Sequence, residues 1–207
     1  MPHRLVVLAS GVGTLLQQLI DACADGSVPA QIAAVGADRA DTGAVARAQA
    51  AGIPTFICRV PDHQDRLAWD RELTRICTTF QPELVVSAGF LKLLGPVFLE
   101  AFAGKVINSH PALLPSFPGL HGVRDALAYG VKVTGCTVFL VDAGLDSGPV
   151  IAQAAVPVRE DDDEESLTER VKAVERVLLT ETVAMMVTRG WSVTGRSFRY
   201  GQEAVSQ

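Results

Sequence analysis

The chain has 207 residues, 48% hydrophobic and 20% charged, a length suited to one domain and a composition that supports a packed core rather than disorder. A formal net charge of −5 and a pI near 5.3 exclude a general positive field for nucleic acid or an anionic membrane. The longest apolar runs, such as Leu5 to Ser10 and Leu84 to Ala88, are strand-length and fall far short of the roughly 20 residues of a membrane-spanning helix.

In chain order, Arg4 to Ala9 is a β-prone run ending in Ser10-Gly11-Val12-Gly13-Thr14, and Leu15 to Cys23 follows with helical periodicity, which predicts strand, glycine turn, helix. The strand pattern starts at once and leaves no room for a signal segment, so a cytoplasmic location is expected. Gln31 to Val35 predicts a second strand, Thr42 to Ala51 a helix stopped by Gly52, and Ile53 to Cys58 a third strand. Asp62 to Phe80 has apolar residues at helical spacing up to Gln81-Pro82, before the strand run Leu84-Val85-Val86. Gly95-Pro96 opens a short helix through Phe102, and Lys105 to Ser109 returns as a fifth strand. Strands alternating with helices imply an α/β fold, a single domain over 1–207 with a mostly parallel twisted sheet flanked by helices.

His110 to Gly122 contains three prolines and two glycines and reads as a long irregular loop, of the kind that carries function beside strand ends. Val123 to Tyr129 predicts a short helix, and Val133 to Val141 and Val150 to Val158 two strands. Asp142 to Pro149 is too short for a parallel crossover, so these two strands should pair antiparallel or diverge at the sheet edge. Asp161 to Glu165 places negative charge at the start of a long helix, Ser166 to Thr188, where the helix dipole favours it. The tail from Trp191 to Gln207 offers one further strand, Ser197 to Tyr200.

Cys23, Cys58, Cys77 and Cys136 are scattered among apolar neighbours without paired spacing and read as buried free thiols, and no metal site is expected. His3 and His63 read as surface residues, whereas His121 has no clear role. A Gly-x-Ser-x-Gly nucleophile elbow is missing, which leaves direct transfer between two bound substrates as the favoured chemistry.

Three places invite chemistry. The Ser10 to Thr14 turn puts backbone N–H groups at a helix N-terminus, where phosphate binds well. It lacks the third glycine of a dinucleotide fingerprint, since position 16 is Leu16, and Asp38 is a weak substitute for the ribose acid of that fingerprint; a tight turn without ligand is the alternative. Asn108 and His110, two apart at a strand end, project to the same side. An amide donor beside an imidazolium suits an oxyanion forming on a carbonyl, and histidine alone could serve as general acid or base; read alone, an Asn-x-His pair is more often structural. Asp146 lies in the glycine-containing turn Asp142 to Pro149; it caps that turn or, if adjacent to His110, favours the imidazolium.

Together the Ser10-Gly11-Val12-Gly13-Thr14 turn, Ala88-Gly89-Phe90-Leu91-Lys92-Leu93-Leu94, Asn108-Ser109-His110-Pro111-Ala112-Leu113-Leu114-Pro115 and Leu145-Asp146-Ser147-Gly148-Pro149-Val150 resemble the glycinamide ribonucleotide formyltransferases of purine biosynthesis. The likeness runs nearly end to end. It implies a Rossmann-like formyltransferase fold, Asn108, His110 and Asp146 as the catalytic trio, and 10-formyltetrahydrofolate as formyl-donating co-substrate. It assigns the nucleotide's phosphate to Gly13, Thr14 and Leu15, and its glycinamide end to Pro111 and Glu175. It gives the folate to the backbone of Leu91, Lys92, Leu93 and Leu94, to Asn108, to the loop from Val141 and Asp142 to Asp146, and to Arg66 near the glutamate tail. Arg66 read alone is a solvated surface cation.

Position 15 departs from the family pattern, which commonly has asparagine where this chain has Leu15. The likeness also implies a cis bond before Pro115, small-molecule partners only, and a monomer or homodimer. Formyltetrahydrofolate deformylases share the catalytic segment but usually carry an N-terminal regulatory domain, and methionyl-tRNA formyltransferases add a C-terminal RNA-binding domain. Neither addition is expected here. A noncatalytic nucleotide-binding module on the same scaffold is the alternative from another class.

Overall fold

The first strand, β1 (His3–Ala9), forms from the opening apolar run, and its last five residues are fully buried, as expected of a parallel strand covered on both faces. The computed structural model describes residues 2–201. It divides into two compact units at the Asn108–Ser109 bond.

The first unit continues with α1 (Thr14–Ala24), β2 (Ala30–Ala37), α2 (Gly43–Ala50), β3 (Thr55–Ile57), α3 (Arg66–Thr79), β4 (Leu84–Ser87) and α4 (Pro96–Ala101), and β5 (Val106–His110) leads out of it. Its strands lie in the order β3-β2-β1-β4-β5, and each neighbouring pair is parallel. The sheet thus grows in one direction from β1 to β3 and returns to add β4 on the other side of β1. This reversal lies at β1 and β4, and open α/β sheets take ligands at the C-terminal ends of strands at such a switch point.

The second unit contains the rest of β5, α5 (Gly122–Tyr129), β6 (Val133–Leu140), β7 (Val150–Pro157), α6 (Glu164–Arg189), β8 (Trp191–Thr194) and β9 (Ser197–Tyr200). β6 and β7 pair antiparallel, in agreement with the short connection between them. Val123, Cys136, Val156, Leu167 and Val171 form a buried cluster among α5, α6 and these strands.

Several boundaries differ from expectation for local reasons. The third strand narrows to Thr55–Ile57. The third helix starts at Arg66 instead of Asp62, because the Asp65 carboxylate accepts the Ala68 N–H at 2.7 Å and Val60–Asp62 forms a separate 3₁₀ turn, so the cap sets the boundary. The long helix α6 opens two residues early, with Asp163 and Ser166 forming a capping box. β9 matches the strand expected in the tail, but β8, its hairpin partner, was not anticipated. Gly195, at φ 60°, makes the tight connection between them; the rest of the tail, 202–207, lies outside the described residues.

Cys58, Cys77 and Cys136 are buried and Cys23 half-buried, all as free thiols. Burial pushes Cys77 and Cys136 up to about 12 and Cys23 and Cys58 up to about 11, which suits packing rather than nucleophilic work. Among the described residues no helix is long and apolar enough to cross a membrane.

Candidate active site

In the first unit, the turn after β1 is shaped by glycine where backbone meets backbone. Gly13 caps α1 in the left-handed region at φ 79°, and a Cβ on it would come within 2.7 Å of the Ala44 Cα. No side chain caps this helix end, so the first N–H groups of α1, from Thr14, Leu15 and Leu16, are donors without intrahelical partners. Thr14 is exposed and Leu15 half-buried. Arg47 holds the turn from outside by donating from Nε to the Val12 carbonyl at 3.0 Å.

The segment after β4 runs beside that turn. Phe90 is buried and stacks on Trp69 with ring centroids 6.5 Å apart, whereas Leu91 and Leu93 are 61% and 66% exposed. Alternate anchoring and exposure leaves two apolar residues on the surface, an arrangement suited to a flat heteroaromatic ring. Lys92 points its ammonium at Asp38, 2.9 Å away, and Leu94 is half-buried. Arg66 is not the free solvated cation that its surface position suggested: its guanidinium lies over the Trp69 ring, 4.3 Å from the centroid, and donates to the Leu93 carbonyl.

Asn108 and His110 lie on β5 two residues apart and leave the same face of the strand. In the second unit, His110 is 4% exposed. Its Nε2 is 2.7 Å from the Phe117 carbonyl, which can only accept, so Nε2 carries a proton. Nδ1 faces Asp146 Oδ2 at 3.6 Å, an ion-pair distance. That carboxylate oxygen also accepts the Gly119 N–H at 2.8 Å. Both Phe117 (φ 54°) and Asp146 (φ 48°) hold left-handed backbone, uncommon for residues with side chains and frequent at functional sites.

The loop that carries Asp146 is fixed internally. Asp142 Oδ1 accepts from the Gly144 N–H and the Ser147 hydroxyl at 3.0 and 2.7 Å, and Arg196 donates to the Ser147 carbonyl at 2.8 Å. Val141, at its start, is half-buried. The Leu114–Pro115 bond is cis, and the turn is tied down by the Thr137 hydroxyl, which donates to the Ala112 carbonyl at 2.7 Å and accepts the Leu114 N–H at 3.0 Å. Pro111, directly after β5, is half-buried.

Glu175 lies on α6 and is nearly fully buried. The Ser109 hydroxyl donates to it from the opposite face of β5 to Asn108 and His110. Burial pushes the Glu175 carboxyl up, and the hydrogen bond from Ser109 with the nearby charges of Lys172 and Arg176 only partly offsets this. Because the folded value lies above the unfolded one, the associated stability is complete below the ordinary glutamate range and is lost as pH rises through the raised value. Thermal unfolding across that window should therefore show a decline in Tm with pH that Glu175→Gln flattens. An equal slope in both proteins would contradict this account.

Sequence reading missed four contributors: the Phe117 carbonyl, the Gly119 N–H, Ser109 and the Asp38–Lys92 pair. Backbone groups leave no residue-type signal, and Ser109 lay unnoticed between two conspicuous neighbours. Asp38, directly after a strand, was considered only as a ribose ligand.

Residues 3–183 match the family model described as formyl transferase. The chain belongs to the formyl transferase family. This formyl transferase is 55% identical over 202 residues to a phosphoribosylglycinamide formyltransferase of Mycobacterium tuberculosis, covering 98% of this chain and 93% of that one. It is 40% identical over 193 residues to its counterpart of the same name in Escherichia coli, with 93% and 88% covered. Among solved structures, glycinamide ribonucleotide transformylase 1 from Symbiobacterium toebii superposes with a TM-score of 0.94 at 40% identity, over 97% of this chain and 95% of that one. A formyltetrahydrofolate deformylase from Pseudomonas syringae also superposes, with a TM-score of 0.89 at 26% identity, but this formyl transferase spans only 67% of it.

Proposed function

We propose that this enzyme transfers the formyl group of 10-formyltetrahydrofolate to the amine of glycinamide ribonucleotide, giving formylglycinamide ribonucleotide and tetrahydrofolate. The observation that carries the chemistry is the buried His110–Asp146 pair on the strand that carries Asn108. The acceptor is supported by the relatives that share 40–55% identity over nearly the whole chain.

In the proposed mechanism the substrate amine attacks the formyl carbon, and the carbonyl π electrons move onto oxygen. The Asn108 amide donates to the resulting oxyanion, and His110 adds a second donor by turning its Nε2–H away from the Phe117 carbonyl, while Asp146 faces its Nδ1 and orients the ring. The tetrahedral carbon then breaks its bond to the folate nitrogen. A proton leaves the attacking amine and one reaches the departing nitrogen, by way of water ordered by Asp146. Asn108 and the Val141, Asp142 and Asp146 loop also contribute to the folate site. The backbone groups of Leu91 to Leu94 that are not already bonded to Ser10 and Arg66 read the pterin edge, with Lys92 contributing main chain because its ammonium is committed to Asp38. Arg66 serves the glutamate tail only by releasing Leu93.

The nucleotide phosphate sits on the open N–H groups of Thr14 and Leu15 beside Gly13, and Pro111 takes the glycinamide end, which the buried Glu175 serves only by releasing Ser109. If the amide usual at position 15 adds to phosphate recognition, Leu15→Asn should tighten nucleotide binding, seen as a lower KM for glycinamide ribonucleotide. An unchanged KM would mean that the backbone donors suffice. The two compact units act as one formyltransferase domain, a reading supported by a family match that runs through the Asn108–Ser109 boundary. We place the enzyme in the cytoplasm as a monomer or homodimer.

The deciding experiment follows 10-formyltetrahydrofolate consumption optically, with and without glycinamide ribonucleotide, and identifies the product by mass. Formylated nucleotide formed only when the acceptor is present supports the proposal. Formate released without it would make the protein a deformylase, and no consumption in either case would favour a noncatalytic nucleotide-binding module.

A further inference from the structure

The turns after β1 and β4 carry the proposed phosphate site and the proposed folate segment, and a single buried residue touches both. Ser10 is 1% exposed. Its N–H donates to the Gly89 carbonyl at 3.1 Å, its carbonyl accepts from Arg39 at 2.7 Å, and its hydroxyl accepts the Leu91 N–H at 3.0 Å. The first residue of the phosphate turn is thereby bonded to both ends of the Gly89–Leu91 segment.

Asp38, directly after β2, is 8% exposed and closes this arrangement. Its Oδ2 is 2.9 Å from the Lys92 ammonium, whereas its buried Oδ1 has no hydrogen-bond partner. Burial pushes its carboxyl up, but the interactions with Lys92 and Ser10 prevail and hold it below the usual range. A buried carboxylate with one oxygen unsatisfied depends strongly on its remaining partners. Displacement of Lys92 strips Asp38 of its ion pair and moves the neighbouring Leu91, whose N–H is held by the Ser10 hydroxyl of the phosphate turn.

We propose that Asp38 is a positioning residue that couples the two substrate sites, so that filling the folate segment sets the phosphate turn for the nucleotide and the reverse. The inference rests on the assignment of these two segments under the proposed function. Neither Asp38 nor Ser10 needs to touch a substrate. The physical basis is that Lys92, flanked by the exposed Leu91 and Leu93, must adopt a single position to satisfy Asp38. A folate held by the backbone there favours that position, and the reciprocal effect on the nucleotide follows from linkage.

Calorimetry on the full chain tests this by measuring glycinamide ribonucleotide affinity with and without saturating tetrahydrofolate. The wild type is expected to bind the nucleotide about fivefold or more tightly when tetrahydrofolate is present, the lower end of ordinary coupling. In Asp38→Asn and Lys92→Met that ratio should fall to about one, and in Lys92→Arg, which keeps the ion pair, it should persist. A merely structural role would lower unfolding temperature or both separate affinities and leave the ratio intact. A ratio near one in the wild type, or an unchanged ratio in Asp38→Asn and Lys92→Met, overturns the proposal. Failure of the wild type to bind either ligand would instead overturn the functional reading on which the coupling rests.

Discussion

His110→Ala should lower kcat by about 10²- to 10⁴-fold, the range lost with a positioned proton-donating group, while both substrates still bind. His110 is buried and held at both ring nitrogens, at 2.7 Å by the Phe117 carbonyl and at 3.6 Å by Asp146. Its ring is therefore held in one orientation within the second unit. Truncation removes the donor but leaves the phosphate turn and the Leu91 to Leu94 backbone in the first unit untouched. Steady-state kinetics with calorimetric binding of the nucleotide checks this, and thermal unfolding controls for the space left by the lost ring. Turnover within about tenfold of wild type would rule out a catalytic role for His110, because so small a loss lies below the range for such a group.

Asp146→Asn should cost roughly a hundredfold in kcat, at the lower end of the same range, with little loss of stability. Asparagine tolerates the left-handed backbone that Asp146 adopts at φ 48°, and its amide oxygen can still accept the Gly119 N–H now held at 2.8 Å. Only the negative charge facing His110 Nδ1 is lost, so the variant isolates the electrostatic contribution. A kcat within about tenfold of wild type would mean that Asp146 only shapes the loop. Asp146→Ala, by contrast, strips the Gly119 N–H of its acceptor as well and should add a stability loss of about 1–3 kcal/mol.

Most of the alternating scaffold was legible in the sequence because its signals are local. The buried run of β1, the Gly95-Pro96 helix start and the short Asp142 to Pro149 connection each name their own structure. Boundaries were less legible where side-chain caps compete with periodicity. Asp65 and Asp163 move two helix starts by accepting backbone N–H groups, and apolar spacing carries no trace of that competition. β8 escaped notice because a four-residue strand gains its stability from pairing with β9.

The site divides along the same line. The sequence by itself determined the residue types of the chemistry: Asn108 and His110 on one face of a strand, an acidic residue in a glycine-containing turn, and a phosphate-ready helix start without a third glycine. It also determined the family, because those segments occur together and in order. Only the tertiary structure decided which atoms meet. That Asp146 reaches His110 across 36 positions of sequence, that Phe117 fixes the other ring nitrogen, that Glu175 is buried on Ser109, and that Lys92 turns away toward Asp38 are long-range pairings. Their partners are chosen by where strand ends and loops come to lie, and periodicity, being local, holds no information about that choice.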